Sequence, residues 1–177
     1  MKKASATLTL CEGAMLAAAA VVLNFLKLDL GPEGGSVNLV FLPLMVYALR
    51  RGPVWGCGAG LVFGVLKAML GGGIAYGWQS LLLDYAAAYA LTGLAGLCPR
   101  RPVLAVALGS AGCLTSFVRS GVLVWGEYMP ESFWGLPMTN IWLYSLLYNG
   151  SFVVCNAAAT AVIILLLKKK TRLLTAE

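Results

Sequence analysis

The chain contains no histidine. That absence removes the usual general base and the commonest zinc ligand, and with them Ser-His chemistry. Charge is scarce as well. Only 11% of the 177 residues are Asp, Glu, Lys or Arg, less than half of the roughly 25% typical of soluble domains. No Gly-Lys-Ser or Gly-Lys-Thr triplet occurs, so the chain has no P-loop, and any energy it uses must come from a partner or a gradient. The five cysteines (Cys11, Cys57, Cys98, Cys113, Cys155) are odd in number and form no CxxC pair. Most fall in apolar runs, where they read as small hydrophobes. No inverted repeat, the mark of many secondary transporters, is visible.

What the chain does hold is apolar length, with 60% of its residues hydrophobic. A membrane helix needs about 20 of them, so six helices would use about 120 residues and leave no room for a separate soluble domain. Apolar runs lie at about 7–28, 36–49, 54–70, 78–97, 103–125 and 140–167. They predict an all-α, polytopic membrane protein: one transmembrane domain, 1–177, built as a six-transmembrane-helix bundle in the cell (plasma) membrane. The second run is short for a span, so its helix is expected to draw on the preceding loop or to sit in a thinned region. Lys2 and Lys3 before an alanine-rich stretch resemble a signal peptide, but the length of the run, Glu12 within it and five further spans argue against cleavage.

The net charge of +6 would suggest nucleic acid in a soluble protein, but its placement here points to the lipid bilayer. Lys2, Lys3, Arg50, Arg51, Arg100, Arg101, Lys168, Lys169, Lys170 and Arg172 occupy the N-terminus, the second and fourth connections and the C-terminus. With six spans these four segments share one side, and the positive-inside rule makes that side, with both termini, cytoplasmic. The other three connections set Lys27 against Asp29, Glu33, Glu127 and Glu131. They also differ in kind. The inner turns are tight (RRGP, PRRP), whereas GPEGGSV (31–37), GGGIAYG (71–77) and GEYMPESFWGLPMT (126–139) are longer and rich in glycine, proline and aromatics. Loops of that kind tend to carry function.

Four ionisable residues fall within spans: Glu12, Lys67, Asp84 and Arg119. Each costs roughly 2.5–3.5 kcal/mol at mid-helix on insertion scales and is a functional candidate by default. At 1.5 Å per residue, Asp84 and Arg119 both lie about 9 Å below the outer edge. Lys67 is near the outer end of its span and can snorkel, which discounts it. Glu12 is alone in the inner half, either hydrogen-bonded within the bundle or protonated. Tyr144 and Asn149 on the last span fall in the outer half, so the polar inventory describes a pocket opening outward. Phe117, Gly121 and Trp125 recur at i, i+4 and i+8, a face on which a flat ligand could lie against Gly121 and stack on Trp125. Arg119 points to roughly the opposite side of that helix. Gly52, Gly56, Gly60 and Gly64 form a small-residue ladder suited to close helix packing. Ala14 and Ala18, beside Gly13 and Ala17, give a smooth surface that packs within the bundle or faces another membrane protein.

Four stretches make the sequence familiar: GGSVNLVFLPLMVYALRRGPVWG (34–56), QSLLLDYAAAYALTGLAGL (79–97), SGVLVWGEY (120–128) and LYSLLYNGS (143–151). Together they resemble the thiamine-specific substrate-binding (S) components of energy-coupling-factor transporters over nearly the whole chain. The resemblance implies a non-enzymatic subunit, without catalytic residues, metal or cofactor, that binds thiamine from outside. It would then dock on a transmembrane coupling protein carrying two cytoplasmic ATPases. By that likeness Asp84 matches the acidic position that hydrogen-bonds the aminopyrimidine, and Tyr85 a pocket tyrosine. Gly121 and Trp125 match a glycine and a stacking tryptophan, and Tyr144 and Asn149 match residues closing the pocket. Tyr76 and Trp134 are its further pocket members, and Ala14 and Ala18 its docking surface. Phe117 stands where family members commonly carry histidine, and Cys113 where a basic residue is common. These departures leave a thiamine precursor or another vitamin with a similar ring as alternative ligands. A stand-alone secondary transporter is the competing class of function.

The chemistry of thiamine suits such a pocket. Aromatic faces attract its cationic thiazolium by roughly 0.5–2 kcal/mol each. A buried carboxylate supplies both charge balance and an acceptor for its exocyclic amine.

Overall fold

The computed structural model describes residues 5–29 and 35–170. Helix α1 (Ala6–Phe25) starts where the Ser5 hydroxyl accepts a hydrogen bond from the Leu8 amide at 3.2 Å, satisfying one of the amides a helix start leaves open. Strands β1 (Leu28–Asp29) and β2 (Ser36–Val37) pair antiparallel, with Leu28 opposite Val37. Helices α2 (Phe41–Arg51) and α3 (Pro53–Leu70) are joined by Gly52 alone. Its φ of +92° suits only glycine, and the proline after it opens α3. Helix α4 (Trp78–Leu97) changes type along its length, with a π-helical segment at Leu81–Ala87 and a 3-10 end at Thr92–Leu97. Helix α5 (Pro102–Leu123), a second small ladder of β3 (Ser132–Phe133) with β4 (Leu136–Pro137), and α6 (Ile141–Lys170) follow.

The chain is mostly helical, as expected, and its two short ladders fall in glycine- and proline-rich connections, where Gly35 (φ +81°) and Gly135 (φ +76°) turn the backbone. One alternative for the second helix is ruled out: it does not draw on its preceding loop, because residues 36–37 pair as strand and the helix begins only at Phe41. Among the described residues five helices, all but α2, are long and apolar enough to cross a membrane. At 11 residues, α2 is only about 16 Å long. Yet it is the centre of the core. Phe41, Leu44, Met45, Ala48 and Leu49 are buried against Phe63 of α3, Tyr89 of α4, Val106 and Phe117 of α5, and Val153 of α6. The long helices instead expose Leu8, Met15, Val22, Leu61, Val65, Leu104, Val154 and Leu165, an apolar belt of the kind lipid covers.

Close packing follows the small residues. A Cβ on Gly60 or Gly64 would overlap the carbonyls of Tyr89 and Tyr85, so α3 and α4 touch backbone to backbone. On α1, Gly13 lies under the Tyr47 ring, whose hydroxyl donates to the Thr9 carbonyl at 2.8 Å. Gly13 and Ala17 are buried, while Ala14 and Ala18 face out. Glu12 is not alone: its carboxylate accepts from Arg50 and from the Arg51 Nε, the latter at 2.6 Å. The arginine pair of the tight turn thus neutralises the acid on the neighbouring helix. We expect Glu12→Gln to lower stability by about 1–3 kcal/mol, since two arginines lose their anion. Thermal unfolding in detergent should show the loss, with ligand affinity unchanged.

Candidate ligand-binding site

One end of the bundle is hollow. A cavity of about 520 Å³ lies among α3, α4, α5 and α6, with Lys27, Gly35 and Tyr128 of the connecting segments at its mouth. That is the size range of small-molecule sites. The opposite end carries the tight basic turns, and Lys168 there donates to the Arg100 carbonyl at 3.2 Å.

The π-helical segment builds the polar wall. Its wider turn lets the adjacent residues Asp84 and Tyr85 both line the cavity, and such bulges recur at functional sites. Ser116 of α5 donates to the Leu83 carbonyl at 2.6 Å, fastening the segment to its neighbour. Asp84 Oδ2 accepts from Ser80 Oγ at 2.8 Å and from Trp125 Nε1 at 3.0 Å. Its Oδ1 has no hydrogen-bond partner among the described residues, so one carboxylate oxygen is held ready for a donor.

The opposite wall is α6. Asn149 donates to the Ser145 carbonyl at 2.9 Å and to Ser145 Oγ at 3.2 Å, and Ser145 in turn donates to the Val118 carbonyl. Gly121 lines the cavity, but its bareness serves a second purpose: a Cβ there would strike Ser145. The glycine lets α5 and α6 meet. Aromatic rings complete the lining, with Tyr144 against Tyr148 at 5.8 Å, Tyr148 against Phe152 at 5.9 Å and Phe117 against Phe152 at 5.7 Å between centroids.

Of the residues singled out in the sequence, Asp84, Tyr85, Gly121, Trp125, Tyr144 and Asn149 line this cavity together. Two do not. Tyr76 is exposed and packs edge-on against Trp125 at 5.1 Å, so it backs that indole instead of joining the lining. Trp134 is exposed and stacked on Phe133, and it is Phe133 that meets Tyr144. Arg119 is exposed outside the cavity and makes no ion pair with Asp84.

Sequence reasoning passed over several lining residues, Tyr148 and Phe152 among them, and two of these carry polar chemistry deep in the bundle. Lys67 does not snorkel: it lines the cavity, donates to the Tyr89 hydroxyl and sits 4.7 Å from that ring's centroid. Asn156 accepts from the Asn38 amide at 2.7 Å and donates to the carbonyls of Ser36, at 3.1 Å, and Phe152, at 2.7 Å. It fastens β2 to α6. The signal for it was present, because Asn156 lies two helical turns after Asn149 in an otherwise apolar run.

Among the described residues, then, the chain is a bundle of apolar helices with an aromatic cavity that opens among its connecting loops and is lined by the Asp84 carboxylate. Comparison with known proteins agrees. The family profile of the thiamine transporter protein (Thia_YuaJ) matches residues 10–175. The chain is 30% identical to the thiamine transporter ThiT of Bacillus subtilis over 175 residues, which are 87% of this chain and 86% of that one. It is likewise 30% identical to the ThiT of Lacticaseibacillus paracasei over 181 residues, covering 92% and 87% of the two chains. The solved structure of ThiT from Listeria monocytogenes superposes with a TM-score of 0.83 at 25% identity, covering 96% of this chain and 98% of that one. The chain belongs to the thiamine transporter (Thia_YuaJ) family. It is a multi-pass plasma-membrane protein.

Proposed function

We propose that this protein binds thiamine with high affinity in the cavity beneath Trp125 and passes it inward by docking on a separate energy-coupling-factor module. The observation that carries the reading is Asp84, with one oxygen pinned by Ser80 and Trp125 and the other without a hydrogen-bond partner among the described residues of an aromatic cavity. A carboxylate so placed balances a cation and accepts from an exocyclic amine. In this reading α2 completes a six-helix crossing, both termini face the cytoplasm with the basic turns, and the cavity opens outward. With no P-loop in the chain, the power stroke belongs to a transmembrane coupling protein and two cytoplasmic ATPases. The outward-facing Ala14 and Ala18 of α1 present the docking surface.

The test is a tryptophan-fluorescence titration of the detergent-purified protein with thiamine and then with its pyrimidine and thiazole halves. Saturable quenching at submicromolar thiamine supports the reading. A response to a precursor but not to thiamine changes the ligand, and silence toward all of them favours a transporter working alone on another substrate. Trp125→Phe should remove most of the quenching and weaken binding about tenfold, since the ring that stacks on the ligand shrinks and the N–H that orients Asp84 is lost.

A further inference from the structure

Deeper than Lys27 at the mouth, two opposite charges line this cavity without touching. Asp84 and Lys67 both line it and lie within electrostatic reach of each other, yet no ion pair forms between them. The direction of the helices explains why. In an α-helix the Cα–Cβ bond tilts toward the N-terminus. Helix α4 runs away from the mouth, so Asp84 leans toward the mouth, where Ser80 and Trp125 hold it. Helix α3 runs toward the mouth, so Lys67 leans away from it and its ammonium meets the Tyr89 hydroxyl. Because Gly64 abuts the Tyr85 carbonyl, the two side chains start from nearly one level. The carboxylate ends on the mouth side and the ammonium on the floor side.

Their remaining capacities are complementary. Asp84 Oδ1 only accepts. The Lys67 ammonium only donates, and among the described residues one partner, the Tyr89 hydroxyl, uses one of its three N–H groups. A ligand edge that fits both presents a donor beside an acceptor. We propose that Asp84 and Lys67 together read the exocyclic amine and the adjacent ring nitrogen of a 4-aminopyrimidine, which makes Lys67 a specificity-determining residue. The inference rests on the thiamine reading above and deepens it. A 4-oxo ring carries the reverse pattern, setting a carbonyl against the carboxylate and an N–H against the ammonium. Sites built on buried polar groups reject such mismatches strongly. The ammonium also repels the thiazolium, so the neutral ring is the one that goes to the floor.

The experiment is a calorimetric titration of the full-length protein with thiamine and with its 4-oxo analogue. Wild type should prefer thiamine by about a hundredfold. Lys67→Met should weaken thiamine about tenfold and leave the 4-oxo analogue within about twofold, so that the preference shrinks about tenfold. Tyr89→Phe keeps the ring and removes the hydroxyl that places the ammonium. It should shrink the preference by a smaller factor, and it decides the matter if Lys67→Met does not fold. An unchanged preference in the folded variants, even with both affinities lowered, would overturn the inference. Equal binding of the two compounds by wild type would overturn it and leave the thiamine reading standing. Binding of neither would overturn both.

Discussion

Asp84→Ala is expected to weaken thiamine binding by about a hundredfold or more while leaving the protein folded. A charge-assisted hydrogen bond contributes roughly 1.5–3 kcal/mol, and a bound cation also loses the carboxylate that, among the described residues, lines the cavity. Folding should survive because the substitution removes a costly charge from a membrane helix and leaves only Ser80 and the Trp125 indole to find other partners. Asp84→Asn separates the two contributions: it keeps an acceptor of the same shape and loses the charge, so its affinity should fall between the other two. Calorimetry gives the affinities, and the melting temperature in detergent reports the fold. Equal thiamine binding by wild type and Asp84→Ala would remove Asp84 from the site.

Gly60→Val should be the most damaging change to the fold. A Cβ at Gly60 already overlaps the Tyr89 carbonyl, and a branched side chain would force α3 and α4 apart along the seam where Gly56, Gly60 and Gly64 let them meet. Overpacking of this kind costs about 1–3 kcal/mol and sometimes more. Here it strikes backbone that cannot step aside, so a loss of about 3 kcal/mol or greater is expected. The damage reaches the ligand as well, because Tyr89 on that seam holds the Lys67 ammonium. Thermal unfolding and thiamine affinity should therefore fall together. By contrast Gly58, whose Cβ would meet nothing within 4 Å, should accept alanine without effect on either.

Much of the cavity was legible because a membrane makes polar residues conspicuous. Asp84, Tyr144 and Asn149 stand out in apolar runs, and Phe117, Gly121 and Trp125 all line the cavity, although α5 ends at Leu123 and Trp125 lies just past the helical face its spacing suggests. Lys67 was misread for a geometric reason. Distance from the helix end says that a lysine can reach the headgroups, but the direction of α3 slants it back into the bundle. The π-helical turn of α4 has no local signature in LLLDYAA; it depends on the α5 serine that takes the Leu83 carbonyl and on the glycine seam opposite. Gly121 lines the cavity as its spacing suggests, but its closeness to Ser145 of α6 could not be seen from its own helix. Trp134 was chosen as a loop tryptophan, and the chain instead turns Phe133 inward, with Trp134 itself at φ +52°. The shortness of the second apolar run was plain in the sequence, but its burial at the centre of the bundle is a property of the packing.

The single residue Gly52 between α2 and α3 bears on how the protein is made. An 11-residue helix ending in two arginines is too brief to be recognised as a spanning segment by length and hydropathy. With only one residue before α3 begins, it has no slack to wait behind while its neighbour enters the bilayer. We expect α2 to enter the bilayer only together with α3, as one arm of a helical hairpin: α3 expressed without α2 should still insert, whereas α2 expressed without α3 should not.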